Sequence, residues 1–428
     1  MQFSVWVVHP LAISGGVRYR RAVNQCWGRA GLLVLAGCLC HFTVRGQIDP
    51  ANRELIQVGY NAALEGQAPL AAYAFYYRNQ PDFLQHSNLT LRLAVAPTYL
   101  DSELGFRSLL GEYTDLGVGI AGGGFADDYY EIRRGTYIPG ESFDGFGGEA
   151  DTSIYHLFNP GQQIPLNGML RGGVRYSTYA PTSDTYPGFE VPPPRETAIV
   201  RAGLRWGGKE PILFPPLAME ISAWYEGQFR TGAGNYGFGD FTVEPQSHLF
   251  WGEALLSYTF PNSKQNLYFS VTAGTSLDAD RFSAYRLGAM LPLVSEFPLS
   301  LPGYYYQEIS ASRFVLVGAN YILPLDHRQR WNLAFSGATA WVDYLQGFEQ
   351  PGNWNSGIGG GILYQSPSWK FLVGYGYGVD AIRTHGTGAN SIGVLVQFDL
   401  GHVKGELLTT QPPSRWGGFQ HIFDVFGM

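Results

Sequence analysis

From residue 53 to residue 400 the sequence repeats one unit: roughly ten to twenty residues of alternating apolar and polar side chains, closed by a break rich in Gly, Pro or Asn. Neighbouring residues of a strand point to opposite faces, so this pattern commits the chain to sheets with one apolar and one polar face. It runs over 53–64, 69–79, 87–107, 115–134, 149–158, 165–180, 196–207, 216–231, 246–260, 265–277, 311–323, 329–345, 355–365, 369–379 and 391–400. Single-chain bacterial barrels have even strand numbers, and Pro97 in the middle of 87–107 splits that segment into two. The expectation is an all-β protein, a transmembrane antiparallel β-barrel of 16 strands over 47–400, with 14 as the alternative.

Two features favour a membrane barrel over a soluble sandwich. In 196–207 one face is Ala198, Val200, Ala202, Leu204 and Trp206, and the other Thr197, Ile199, Arg201, Gly203 and Arg205. The breaks also differ in kind: short ones such as PNSK (261–264), PLDHRQR (324–330) and QSPS (365–368) alternate with long polar ones such as 181–195 and 232–245, the asymmetry of outer-membrane barrels. Trp206, Trp331, Trp341 and Trp369 at strand ends fit interfacial girdles. A mean hydropathy of -0.08 is too low for membrane helices and suits strands with one polar face. Glycine, 56 of 428 residues, is far above its usual ~7%.

The ends read differently. Arg18, Arg20, Arg21 and Arg29 precede the apolar run 30–44, and Arg45 and Gly46 follow it, with no acidic residue up to this point. Residues 1–46 therefore read as an export signal with an N-terminal surplus. LAGC at 35–38 also spells a lipoprotein lipobox, so acylation at Cys38 stands beside cleavage after Gly46. Cleavage would remove all three cysteines and five of the 28 basic residues, leaving 23 against 35 acidic ones; that balance argues against nucleic acid as a partner. In the tail 401–428, Phe419, Ile422, Phe423 and Phe426 carry the spacing of a short amphipathic helix; a frayed tail is the alternative.

The polar faces hold charge. Arg171 and Arg175, Arg201 and Arg205, Glu220 and Glu226, and Glu253 all fall on the lumen side of their alternation. Stacked across strands they form a salt-bridged ladder that stiffens the wall; facing a wet pore, the arginines would bias it toward anions. No enzyme is expected. The adjacent pairs Asp127/Asp128 and Asp326/His327 cannot converge from within a strand, no metal-ligand spacing stands out, and Gly117, Gly119 and Gly122 spell GxGxxG with no helix pattern after it. No cofactor is expected.

The segment 278–310 is apolar for a loop and contains Tyr285-Arg286-Leu287-Gly288-Ala289, with five strand patterns following it. Here the chain resembles the C-terminal barrel of the bacterial surface antigen superfamily, the BamA-like barrels. Their long extracellular loop carries an aromatic-x-Leu-Gly-Gly stretch and an Arg-Gly-aromatic tip that folds into the lumen. The closing segment 391–400, with Ser391, Gly393, Val396 and Phe398, resembles the signal read by barrel assembly machinery. Two departures stand out: Val294-Ser295-Glu296-Phe297 replaces the Arg-Gly-aromatic tip, and no periplasmic repeat domains precede the first strand. The resemblance implies an outer-membrane location, contact with outer-membrane lipid and lipopolysaccharide, and a channel or translocation-type pore. The alternative is a non-conducting envelope scaffold whose lumen is filled by 278–310. In either case Arg286 is expected to meet a lumenal carboxylate such as Glu220, Glu226 or Glu253.

Overall fold

A computed structural model describes residues 52–124, 126–162, 164–207, 217–291 and 299–401. The export-signal and tail assignments, and Val294-Ser295-Glu296-Phe297, lie outside the described residues. The rest is a closed antiparallel barrel of 16 strands. In chain order these are β1 (Arg53–Ala63), β2 (Ala71–Pro81), β3 (Leu89–Ala96), β4 (Tyr99–Gly111), β5 (Thr114–Gly123), β6 (Phe143–Leu157), β7 (Leu166–Pro181) and β8 (Arg195–Gly207), then β9 (Leu217–Arg230), β10 (Gln246–Thr259), β11 (Asn266–Leu277), β12 (Ile309–Pro324), β13 (Trp331–Tyr344), β14 (Trp354–Gln365), β15 (Trp369–Arg383) and β16 (Gly386–Asp399). Each pairs with its chain neighbour, and β1 closes on β16 from Leu55↔Asp399 to Ala63↔Ser391. Closure leaves no unpaired edge, which a lipid environment requires.

Segment 87–107 does contain two strands, turning at Pro97 and Thr98. The expected strand 115–134 is shorter: β5 ends at Gly123, where Gly122 and Gly123 take positive φ, and 132–137 form a small hairpin instead. The next strand begins at Phe143 rather than 149. In both places glycine and paired aspartates diluted the alternation, so its period did not mark the boundary.

Outward residues are apolar and exposed: Ile56, Val58 and Tyr60 on β1, Leu170 and Val174 on β7, Leu267 and Phe269 on β11. The connections 82–88, 112–113, 158–165, 260–265, 325–330 and 366–368 share one rim. The other rim carries 64–70, 97–98, 124–142, 182–194, 231–245, 278–308, 345–353 and 384–385. Trp206, Trp331 and Trp369 lie at strand ends on the short-turn rim, Trp341 and Trp354 toward the long-loop rim. At the long-loop rim Tyr129, Phe143, Phe189, Tyr236, Phe241 and Val243 pack into one cluster, so loops 124–142, 182–194 and 231–245 share an apolar core over the mouth.

Candidate functional site: a lumen with two unlike walls

On the inner face of β3 to β10, charges of opposite sign meet across the register. Arg92 pairs with Asp101 (3.2 Å) and Glu103 (3.0 Å). Tyr155 donates its hydroxyl hydrogen to Glu103 (2.7 Å), and Arg171 donates to Ser153 (2.6 Å) and Tyr155 (3.0 Å) with Asp151 at 3.4 Å. Arg175 pairs with Glu149 (2.7 Å), Arg201 with Glu226 (2.6 Å) and Arg205 with Glu220 (2.8 Å). Glu253, across from Ser222, has no hydrogen-bonded or ion-paired partner among the described residues. A lone buried charge is strongly unfavourable, so alternating sign along the register is what lets these arginines face inward. Gly117 and Gly119 belong to this wall: a Cβ there would run into the carboxylates of Glu103 and Asp151. Their spacing makes room for acids; it is not a nucleotide motif.

The acidic pairs do not converge either. Asp127 accepts from Ser177 (2.7 Å), whereas Asp128 accepts from the Gly145 N–H (2.8 Å) and the Tyr130 hydroxyl (3.1 Å). Asp326 accepts the Arg330 and Trp331 N–H groups and so caps its turn.

On the inner face of β14 to β16 a band of glycines lies on the long-loop side of Leu363, Leu372 and Leu395, and the described parts of loop 278–308 lie against it as a strap. Its two legs bond to each other, Gly288 N–H to Leu299 O (3.0 Å) and Leu301 N–H to Ala289 O (3.0 Å). Tyr285–Leu287 adds a short strand to β12; the single Tyr285 hydroxyl proton lies between the Phe250 carbonyl (2.9 Å) and the Thr275 carbonyl (3.1 Å), and its ring meets Phe314. Leu287 is fully buried, and the Gly288 backbone packs on the 305–308 turn. Beyond it Met290 fills the space over Gly359, Gly374 and Gly376, Leu291 that over Gly393, and Pro302 that over Gly357. Gly303, at φ +86, takes a conformation that favours glycine and abuts the Gly378 backbone. Polar contacts fix the register: Leu291 N–H to Asn61 (3.1 Å) on β1, Gly303 N–H to Ser391 (3.1 Å) on β16, and the Tyr305 hydroxyl to the Glu65 carbonyl (2.8 Å).

The strap's base is held by a buried ion pair. Arg383 donates to Glu308 at 2.8 and 3.0 Å and covers the Tyr305 ring at 3.8 Å, and Glu308 also accepts the Tyr305 N–H (2.7 Å). Arg286 therefore does not do what was expected of it. It donates to Ser310 (2.9 Å) and the Tyr130 carbonyl (2.6 Å) and lies over the Tyr129 ring, turned up toward the loop cap and not across to Glu220, Glu226 or Glu253. Sequence reasoning also missed Arg383 and Glu308. Glu308 is the one charge in YYYQEIS, and an isolated charge in such a setting is a sign of buried pairing, whereas Arg383 in VDAIRTHG has Asp380 beside it and carried no such signal.

On the closing strand, Ser391 and Gly393 face inward and receive the strap, while Val396 and Phe398 face outward beside Val58 and Ile56. Gly393→Leu should crowd Leu291 and loosen the strap. Overpacking costs ~1–3 kcal/mol, so protease cutting within 285–308 should quicken by about tenfold, with the folded barrel's anomalous gel migration unchanged.

A barrel closed on 16 strands, with its long sixth connection on the long-loop rim folded into the lumen, defines the class to which this architecture belongs. Among solved structures the chain has the fold of the BamA and CdiB barrels. It matches CdiB from Escherichia coli with a TM-score of 0.55 at 11% identity, covering 82% of this chain and 64% of that one. CdiB from Acinetobacter baumannii matches with a TM-score of 0.52 at 10% identity, covering 81% and 60%. BamA from Haemophilus ducreyi lacking POTRA domains 1-3 matches with a TM-score of 0.50 at 13% identity, covering 81% and 70%. The chain thus spans less than two thirds of either CdiB. No family model and no curated protein matches it. The resemblance drawn from 278–310 and the five strands after it holds at the level of fold.

Proposed function

We propose that this chain is an integral bacterial outer-membrane barrel acting as a channel or translocation-type pore, held closed at rest by its own loops. One observation carries the reading: the strap binds the wall through a glycine-paved face and joins the sheet only through Tyr285–Leu287, beyond the last β11–β12 pair, so it can withdraw while all 16 strands stay paired. The apolar outer surface and the two tryptophan girdles support placement in outer-membrane lipid, with the long-loop rim toward lipopolysaccharide. Barrel assembly machinery is the partner proposed for the closing strand. The reading assigns no catalytic step, cofactor or nucleic acid. Once open, the pore would favour cations. The ladder's five arginines, Arg92, Arg171, Arg175, Arg201 and Arg205, face the seven carboxylates of Asp101, Glu103, Glu149, Asp151, Glu220, Glu226 and Glu253. Paired arginines lend no net positive field, so this reading does not carry over the anion bias that the sequence offered as the alternative to a salt-bridged ladder.

The second reading, a non-conducting scaffold, rests on the aromatic cluster that closes the outer mouth. Planar bilayers separate the two. The refolded protein should show rare openings, and a variant lacking 285–299 should show steady, cation-selective conductance in a salt gradient. A deletion variant that folds yet conducts no better than the intact chain establishes the scaffold.

A further inference from the structure

The segment 129–135, in the loop between β5 and β6, meets the strap at two points and the strap's anchor on β15 at a third. Fully buried Glu131 receives Arg281, from the start of the strap, at 3.3 Å, and is also paired with Arg133 at 3.2 Å. The carbonyl of Tyr130 accepts from Arg286 at 2.6 Å. Gly135 lies directly on the backbone of Ile382 and within reach of Arg383, the residue that holds Glu308: a Cβ on Gly135 would come 2.9 Å from the Arg383 guanidinium. Around these points the guanidinium of Arg281 sits on the Phe241 ring at 3.6 Å, and Arg133 is held by Glu141 at 2.6 Å.

These contacts have an order. Gly135 lies against the Arg383 guanidinium, and the Arg383 and Glu308 side chains are 2% and 1% exposed, so water cannot reach the pair from that side while 129–135 is in place. Separating a buried ion pair without admitting water is far costlier than separating it in water. The strap is therefore released easily only after 129–135 has lifted. Lifting in turn means taking Glu131 from Arg281, which belongs to the strap itself.

We propose that 129–135 is a bolt over the strap, and that the two form one lock in which the Glu131–Arg281 and Glu308–Arg383 pairs are energetically coupled, opening beginning at the bolt. This goes beyond the closed-pore reading, because a scaffold could be locked in the same way.

The test uses exposure of the strap, independent of conductance. In the full chain with Cys26, Cys38 and Cys40 replaced by serine, Met290→Cys places a thiol between the strap and the glycine wall, and its labelling by a membrane-impermeant maleimide is timed from the long-loop side. Glu131→Gln should speed labelling about tenfold, as should Glu308→Gln; combined, they should fall well short of the ~100-fold product, because residues in one network are non-additive. Arg281→Gln removes the same pair from the other side and should reproduce Glu131→Gln, which covers failure of either variant to fold; anomalous gel migration reports folding. Labelling unchanged by both Glu131→Gln and Arg281→Gln would overturn the bolt. Multiplication of the two effects to ~100-fold would mean two independent seals and overturn the single lock. Failure of the conductance experiment would leave these outcomes untouched.

Discussion

Arg383→Leu should produce the largest loss of stability of any single substitution in the lumen. Among the described residues Arg383 is the sole cation that Glu308 is bonded to, and both side chains are out of water. Removing the arginine strands a carboxylate whose desolvation is no longer offset, a change that costs ~3–5 kcal/mol for buried pairs. The guanidinium's cover over the Tyr305 ring and its bond to the Ile382 carbonyl (2.6 Å) go with it. The measurement is the urea or temperature midpoint at which the refolded barrel loses its anomalous migration. Adding Glu308→Gln should recover much of the loss, because the amide oxygen still accepts the Tyr305 N–H (now 2.7 Å from the carboxylate) without carrying charge. A drop below ~1 kcal/mol in Arg383→Leu would place the pair among ordinary exposed ion pairs and remove the strap's anchor from the account.

How much of this was legible beforehand follows from where the physics is periodic. Strands announce themselves because burial on one face imposes a two-residue period, and Leu267, Phe269, Val271 and Ala273 keep it without a fault. The lumen ladder was legible for the same reason: arginines on the polar side of one strand met acids on the polar side of the next, as Arg201 meets Glu226. Asp101, Glu103, Glu149 and Asp151 were passed over, because glycines beside them blurred the face. The strap is a different case. That 278–310 was too apolar for solvent could be read from composition, but its partners could not: Gly357, Gly376 and Gly393 are recognisable as a docking surface only when β14, β15 and β16 lie side by side. Arg286 was assigned to the lumen by analogy with a family arginine, whereas the wall supplies the arginine here and the strap supplies the acid. Charge complementarity fixes that a pair forms, not which partner carries which sign.

The closing strand allows the second large effect to be placed accurately. Its outward residues Ile392, Val394, Val396 and Phe398 run from the barrel's middle to the short-turn rim, where Phe398 pairs with Ile56 and Trp369 one residue from the strand's end. At the rim a charge costs only ~0–1 kcal/mol, while an arginine at the midplane costs ~2–4. Val394 occupies the deeper position, flanked by Tyr60 and Val373 on the same outer face. Val394→Arg should therefore lower the stability of the refolded barrel by ~2–4 kcal/mol in a urea titration in lipid vesicles, with Phe398→Asp nearly unchanged there. In cells the order should change. If assembly machinery reads the terminal aromatic, Phe398→Asp should leave little folded barrel in the outer-membrane fraction despite refolding normally in vitro, and Val394→Arg should be depleted in both settings. Burial and recognition thus separate along four outward residues of one strand. Normal outer-membrane levels of Phe398→Asp would move the recognition signal elsewhere while leaving the burial argument at Val394 intact; a Val394→Arg chain as stable as the unaltered one would mean that this face of β16 does not meet lipid at all.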